Sequence, residues 1–325
     1  MLRLFLSRGT AALLLFLAAS GVASADGTLT VTYFDVGQGD AALVQCPDGR
    51  AMLIDSAGDS RDAGSRQALI DAMEARFPKP SDRNLEAVVA SHPHQDHVGA
   101  MDWVLENFAV KLYVDNGQPN DSARSSRATE LRKKLVKAKK MRYLDGRNAS
   151  GETIDVCPDL TVRLMEPWAN DEKLTDTNDR SVAVRVDYGD TSFLFTGDIE
   201  GKAEASWQKQ AIEKWLNVDV LKVGHHGSET SSTQSFIDAI SPKIVVISSG
   251  DPTSGTNKRF KHPRTAPVER LNGQLHDGAG SKIEAYDSAA KKWILQSRNK
   301  GLWVTRKDGE ITITSDGKEA KVTKP

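Results

Sequence analysis

Ser91-His92-Pro93-His94-Gln95-Asp96-His97-Val98-Gly99 gathers three of the chain's seven histidines and an aspartate within six residues. Neutral imidazoles and a carboxylate are natural ligands for zinc and neighbouring transition metals. A donor set without thiolate points to a catalytic centre rather than a structural clip. Alternate residues of an extended loop face opposite ways. His92 and His94 can therefore hold one ion while Asp96 and His97 hold another. The loop follows residues 85–90, an apolar run that reads as a buried strand. Strand ends are where ligands gather in layered α/β folds.

Two further strand ends supply what this loop lacks. Phe195-Thr196-Gly197-Asp198 ends a strand on a carboxylate that can bridge two ions. Val223-Gly224-His225-His226-Gly227-Ser228 adds an imidazole after another strand. Either stretch alone is an ordinary turn; their joint occurrence in this order gives them weight. Around them the pattern alternates strands and helices in two β-first halves. Strands are expected at 29–36, 41–45, 51–54 and 85–90, then at 160–165, 182–187, 192–196, 218–223 and 243–248. Helices are expected at 66–76, 101–108, 127–141, 203–211 and 236–240, and a terminal hairpin around Lys307-Asp308-Gly309. This order predicts an α/β fold with two sheets sandwiched between helices.

Residues 1–25 read as a signal peptide: Arg3 and Arg8 precede an apolar run, and Ala23-Ser24-Ala25 fits a small-residue cleavage site. The expectation is an exported protein, periplasmic or secreted, with one domain over 26–325. With 39% hydrophobic and 27% charged residues, the chain has the composition of a globular protein with a sizeable core. Its net charge of −1 gives no general argument for nucleic-acid binding. The helix at 127–141 carries Arg132, Lys133, Lys134, Lys137, Lys139 and Lys140 opposite an apolar stripe. Such a face either tracks phosphates or simply solvates the helix. Cys46 and Cys157 are either paired or two small buried residues. Residues 274–300 are either a substrate-shaping loop or decoration of the fold.

The motif set resembles the metallo-β-lactamase superfamily. Asp55 in Leu53-Ile54-Asp55-Ser56 matches its first motif, His92 to His97 the second, Asp198 the fourth and His225 the fifth. More narrowly, the chain is similar to the soluble hydrolase domain of ComEC-type DNA-uptake channels and its stand-alone exported relatives. The residues that carry this are Phe34-Asp35-Val36-Gly37-Gln38-Gly39-Asp40-Ala41, Asn178-Asp179-Arg180-Ser181, Thr196-Gly197-Asp198-Ile199-Glu200 and Gly224-His225-His226-Gly227-Ser228. The resemblance covers residues 28–270. It implies an αββα sandwich of two mixed sheets flanked by helices, and two Zn2+ ions, with Mn2+ as an alternative. One ion would sit on His92, His94 and Asp198, the other on Asp96, His97, His225 and Asp198. Asp55 would order the histidine loop from behind.

Two departures stand out. The third superfamily motif has no histidine here, and Asn178 takes its place as a weak ligand or hydrogen-bond partner, which leaves the first metal more open. No run after the leader is long enough to span a membrane, so the chain resembles only the channel's hydrolase part. The resemblance implies hydrolysis by a metal-bound hydroxide, with Asp96 and Asp198 at the reacting centre. His262 is a candidate proton donor to the leaving group or a loop histidine. His226 either packs away or faces substrate, and Ser228 either donates to a substrate oxygen or caps a turn. The expected activity is a phosphodiesterase or nuclease, with DNA the leading substrate and a cell-surface phosphodiester polymer as a variant. Amide or ester hydrolysis, of a β-lactam or lactone, is the other enzymatic class; a non-catalytic binding module is the third.

Overall fold

The computed structural model describes residues 27–62, 64–119, 122–166, 173–209 and 213–324; the expected leader lies outside them. The strands run in chain order as β1 (Leu29–Tyr33), β2 (Ala42–Gln45), β3 (Ala51–Ile54), β4 (Asn84–Val89), β5 (Ala109–Asp115), β6 (Arg142–Asp145), β7 (Thr153–Ile154), β8 (Leu160–Met165), β9 (Ala183–Tyr188), β10 (Thr191–Phe195), β11 (Val220–Lys222), β12 (Ile244–Ile247), β13 (Ala279–Asp287), β14 (Lys292–Asn299), β15 (Leu302–Val304), β16 (Ile311–Ser315) and β17 (Ala320–Lys324). The helices are α1 (Ser65–Arg76), α2 (Gln95–Val98), α3 (Met101–Asn107), α4 (Ala123–Lys137), α5 (Gly201–Trp207), α6 (Gln234–Ile240), α7 (Asn257–Phe260), α8 (Thr265–Gln274) and α9 (Thr305–Asp308).

One sheet has the order β17-β16-β1-β2-β3-β4-β5-β6, the other β15-β12-β11-β10-β9-β8-β7. In each, an antiparallel part passes into a parallel part: β3 to β6 in the first, β10, β11, β12 and β15 in the second. Strands covered on both faces read as continuous apolar runs, and β3 and β10 are buried at every residue. On β3, Met52 and Ile54 enter the core between the sheets, while Ala51 and Leu53 enter the core under α1 and α3. On β10, Phe193 and Phe195 face inward and Leu194 joins the cluster of α5, α6 and α8. Tyr33 stacks on Phe195 across the sandwich with ring centroids 5.6 Å apart. Burial of each such side chain contributes about 1.5–3 kcal/mol. The result is the expected four-layer αββα sandwich.

Cys46 follows β2 in one sheet, Cys157 lies between β7 and β8 in the other, and the two form a disulfide. The helix expected at 127–141 begins at Ala123, where the Ser122 hydroxyl caps the Ser125 N–H at 3.2 Å, and ends at Lys137. The expected hairpin at 307–309 is not one. Residues 305–308 form α9, β15 lies beside β12 in the second sheet, and β16 lies beside β1 in the first. Arg298 holds Asp308 in a buried ion pair that fixes this crossing. The terminal hairpin is β16–β17, turning at Asp316 and Gly317. Residues 274–300 fold mostly into the β13–β14 hairpin, whose Ile283 and Ala285 pack into the α6–α8 cluster. Among the described residues, no helix is long and apolar enough to cross a membrane.

Candidate metal centre

The loops after β3, β4, β10 and β11, all at the carboxyl ends of parallel strands, deliver the donors. Asp55 leaves β3 with φ 58°. Its carboxylate accepts from the Ser91 N–H at 2.7 Å and the Ser91 hydroxyl at 2.8 Å, and lies 2.9 Å from His97 Nδ1. With its Nδ1 hydrogen on Asp55, His97 presents Nε2 as a lone pair. That atom lies 3.2 Å from Asp198 Oδ1. His92 Nδ1 is flanked by the hydroxyls of Ser91 at 3.0 Å and Ser181 at 3.3 Å. Its Nε2 lies 3.0 Å from His94 Nδ1 and 3.8 Å from Asp198 Oδ2. Gly197 has φ 54°, and a Cβ there would stand 2.8 Å from both Ser181 and Ser91. Only glycine lets the Asp198 loop approach the histidine loop this closely.

The two adjacent histidines trade places relative to the sequence expectation. His225 and His226 both have left-handed backbone, φ 44° and 53°. This tight reversal, flanked by Gly224 and Gly227, turns His226 inward. His226 is buried, with Nδ1 3.0 Å from the Ser248 carbonyl. Its Nε2 lies 3.5 Å from both Asp96 Oδ2 and Asp198 Oδ2. His225 instead places Nδ1 2.6 Å from Glu200 Oε1 and keeps Nε2 3.9 Å from Asp198. Donor atoms of Asp96, His97 and His226 lie within 4.8 Å of one another, as do those of His92, His97 and Asp198. His94 and His225 stand at the margin, outside both groups.

Several further residues pack against this centre. Asp40 pairs with the buried Lys222 ammonium and lies 3.5 Å from His226 Nδ1. Its backbone N–H donates to Asp96 O at 2.9 Å, so the loop at 34–41 buttresses the histidine loop directly. Gln38 Nε2 stands 3.5 Å from His262 Nδ1. Asp40 lies inside the stretch that carried the resemblance, and Lys222 three residues before His225. Both signals were present, but neither residue type advertises a contact 182 positions away.

Of the remaining candidates, Asn178 lines the cavity and its Oδ1 is buried without a partner. His262 also lines the cavity. Burial, with His225 and His226 nearby, holds its imidazole well below the usual range. Ser228 is engaged by Thr230 at 2.9 Å, and Thr230 in turn donates to Glu200 at 2.7 Å. It therefore closes a turn rather than facing substrate.

The donor set fits divalent cations. His97 Nε2, His226 Nε2, Asp198 Oδ1 and Asp40 Oδ1 are buried without a hydrogen-bond partner. Each orphaned polar atom costs about 1–3 kcal/mol. Among the described residues, the buried carboxylates Asp40, Asp55 and Asp198, with Asp96 beside them, are accompanied by one ammonium, that of Lys222, which pairs with Asp40. Bound cations would offset that excess. Without them the imidazoles must carry it: against burial, Asp198 and Asp40 pull His226 up to about 10. Likewise, against burial, His226 and His97 hold Asp198 well below the carboxylate range. The centre opens into a cavity of about 730 Å³ whose outer wall carries Arg61, Arg259, Phe260 and Arg264.

Residues 34–251 match the Metallo-beta-lactamase superfamily. The chain is 27% identical over 260 residues to ComE operon protein 3 of Bacillus subtilis, covering 74% of this chain and 30% of that protein. It is 28% identical over 244 residues to Competence protein ComA of Neisseria gonorrhoeae, covering 74% and 29%. The chain thus spans about a third of the length of these relatives. Among solved structures, CmlA, a diiron beta-hydroxylase from Streptomyces venezuelae, aligns with TM-score 0.47 and 13% identity, covering 84% of this chain and 54% of that one.

Proposed function

Because the chain belongs to the metallo-β-lactamase superfamily, we propose that it is a metal-dependent phosphodiesterase acting on nucleic acid. The observation that carries the reading is the convergence of buried, unpartnered His97 Nε2, His226 Nε2 and Asp198 Oδ1 at the floor of an arginine-rimmed cavity. His92 and Asp198, with His94 at the margin 3.0 Å from His92, would hold one ion; Asp96, His97, His226 and Asp198 would hold the other. Zinc is the first expectation and manganese the second. When bound, such ions supply a nucleophile from water near neutral pH and charge to offset the developing oxyanion.

The chain's own residues do the rest. Asp55 keeps the His97 proton on Nδ1, the Ser248 carbonyl keeps the His226 proton on its Nδ1, and Ser91 and Ser181 hold His92. Glu200 fixes His225 with its Nε2 edge toward the cavity, where it can hydrogen-bond a substrate oxygen. His262, steadied by Gln38, lines the same wall. Among the described residues, Arg259 and Arg264 pair with no carboxylate, and cations so placed suit a phosphodiester better than a neutral amide or ester. The disulfide across the sheets supports an exported protein, since such bonds persist in oxidising compartments. The shared core between the sheets supports one catalytic domain over 26–325.

The test is direct. The purified, metal-reconstituted protein is expected to bind about two ions per chain and to hydrolyse bis(p-nitrophenyl) phosphate. Absence of metal after reconstitution overturns the reading. Asp198→Ala is expected to reduce turnover at least about 1000-fold while circular dichroism stays unchanged; full activity in that variant removes Asp198 from the centre.

A further inference from the structure

The outer wall of the cavity holds an aromatic ring in an unusual setting. Phe260 ends α7 and is half-buried. Its ring lies nearly parallel to that of His262, with centroids 6.2 Å apart and an interplanar angle of 19°. The backbone beneath is held on both sides. Asn257 bonds the His262 N–H at 2.7 Å and the His262 carbonyl at 2.6 Å. Arg264 donates to the Phe260 carbonyl at 2.9 Å. The guanidinium carbons of Arg61 and Arg259 lie 5.9 and 5.7 Å from the ring centroid. Both distances are near the outer limit of a cation–π contact, so neither arginine caps the ring closely. Both side chains are exposed at the mouth of the cavity.

An aromatic face on an anchored backbone, with the exposed Arg259 and the Asp59-paired Arg61 beside it and a candidate metal centre next to it, is a combination that suits unpaired nucleotides. Bases stack on the ring while cations follow the backbone. We propose that Phe260, with Arg259 and Arg61, forms a subsite that stacks one unpaired base of a single-stranded polynucleotide next to the scissile phosphate. The proposal rests on the phosphodiesterase reading and sharpens it. A polyol-phosphate polymer has no flat π face to place on Phe260, and a paired base has both faces occupied by its neighbours. The ring therefore selects for single-stranded nucleic acid and against both alternatives.

The experiment measures the affinity of the metal-loaded protein by fluorescence anisotropy for phosphorothioate oligothymidylate and for an abasic oligomer of equal length and charge. Wild type is expected to prefer the base-bearing strand by about tenfold. Phe260→Trp keeps that preference; Phe260→Ala and Phe260→Leu lose it. Leucine retains most of the packing volume without the π face, which separates stacking from folding. A wild type that binds both oligomers equally, or a Phe260→Leu protein that keeps the full preference, overturns the subsite. Hydrolysis of methyl p-nitrophenyl phosphate, which carries no nucleobase, is followed in parallel. Turnover of that ester without base preference sinks only the subsite. Base preference in a protein that hydrolyses no phosphodiester supports the subsite and sinks the phosphodiesterase reading.

Discussion

At the scale of single residues, the centre turns on which of two neighbouring histidines faces inward. Left-handed backbone at both positions sends the His226 ring toward Asp96 and Asp198 and the His225 ring toward Glu200. His226→Ala is therefore expected to lower bound metal from about two ions to about one, while His225→Ala keeps both and loses turnover. Elemental analysis of the two variants decides the assignment; the reverse pattern restores His225 as the ligand. Asp55 does not line the large cavity, yet it orders Ser91 and His97 together. Replacing it with alanine is expected to weaken metal affinity about 10- to 100-fold, read by competition against a chelator. Asp55 was legible as a positioning carboxylate because its strand and motif were. The exchange between His225 and His226 was not, because two adjacent histidines are equivalent until the backbone between them is known.

At the scale of elements, α5 is tied to the start of α6 by one buried acid. Glu204 accepts from the Ser232 and Thr233 N–H groups and from the Thr233 hydroxyl. Burial raises its carboxyl from 4.5 to about 7 against these bonds and Arg270. The folded protein thus binds that proton more tightly than the unfolded chain. Its contribution is full below about pH 4.5 and is lost as pH rises through about 7. Relative to Glu204→Gln, wild type is expected to lose up to about 3 kcal/mol of stability between pH 5 and pH 8. Parallel melting curves for the two proteins across that range would exclude this role. The basic face of α4 fits solvation for the most part. Arg127 pairs with Glu106, Arg132 stacks on Tyr143 near Asp115, and Lys133 pairs with Glu130. Most helices and strands were readable from apolar spacing. The β13–β14 hairpin was not, because its burial comes from α8, an element remote from any alternation within the hairpin itself.

At the scale of the whole molecule, two sheets share one core, and the Cys46–Cys157 disulfide clamps them across 111 residues of chain. Replacing both cysteines with serine is expected to cost about 2–5 kcal/mol and lower the melting temperature. An unchanged melting temperature means the clamp adds nothing to packing. The layered class and the strand ends that carry the candidate donors were legible in the chain alone. Those properties reside in local apolar pattern and in side-chain chemistry. The disulfide, the Asp40–Lys222 pair, the separation of β15 and β16 into different sheets and the inward turn of His226 arise from long-range packing. Each depends on which distant segments meet when the two sheets close. Local pattern carries no term for a contact made across the sandwich, where burial and charge pairing select the partner.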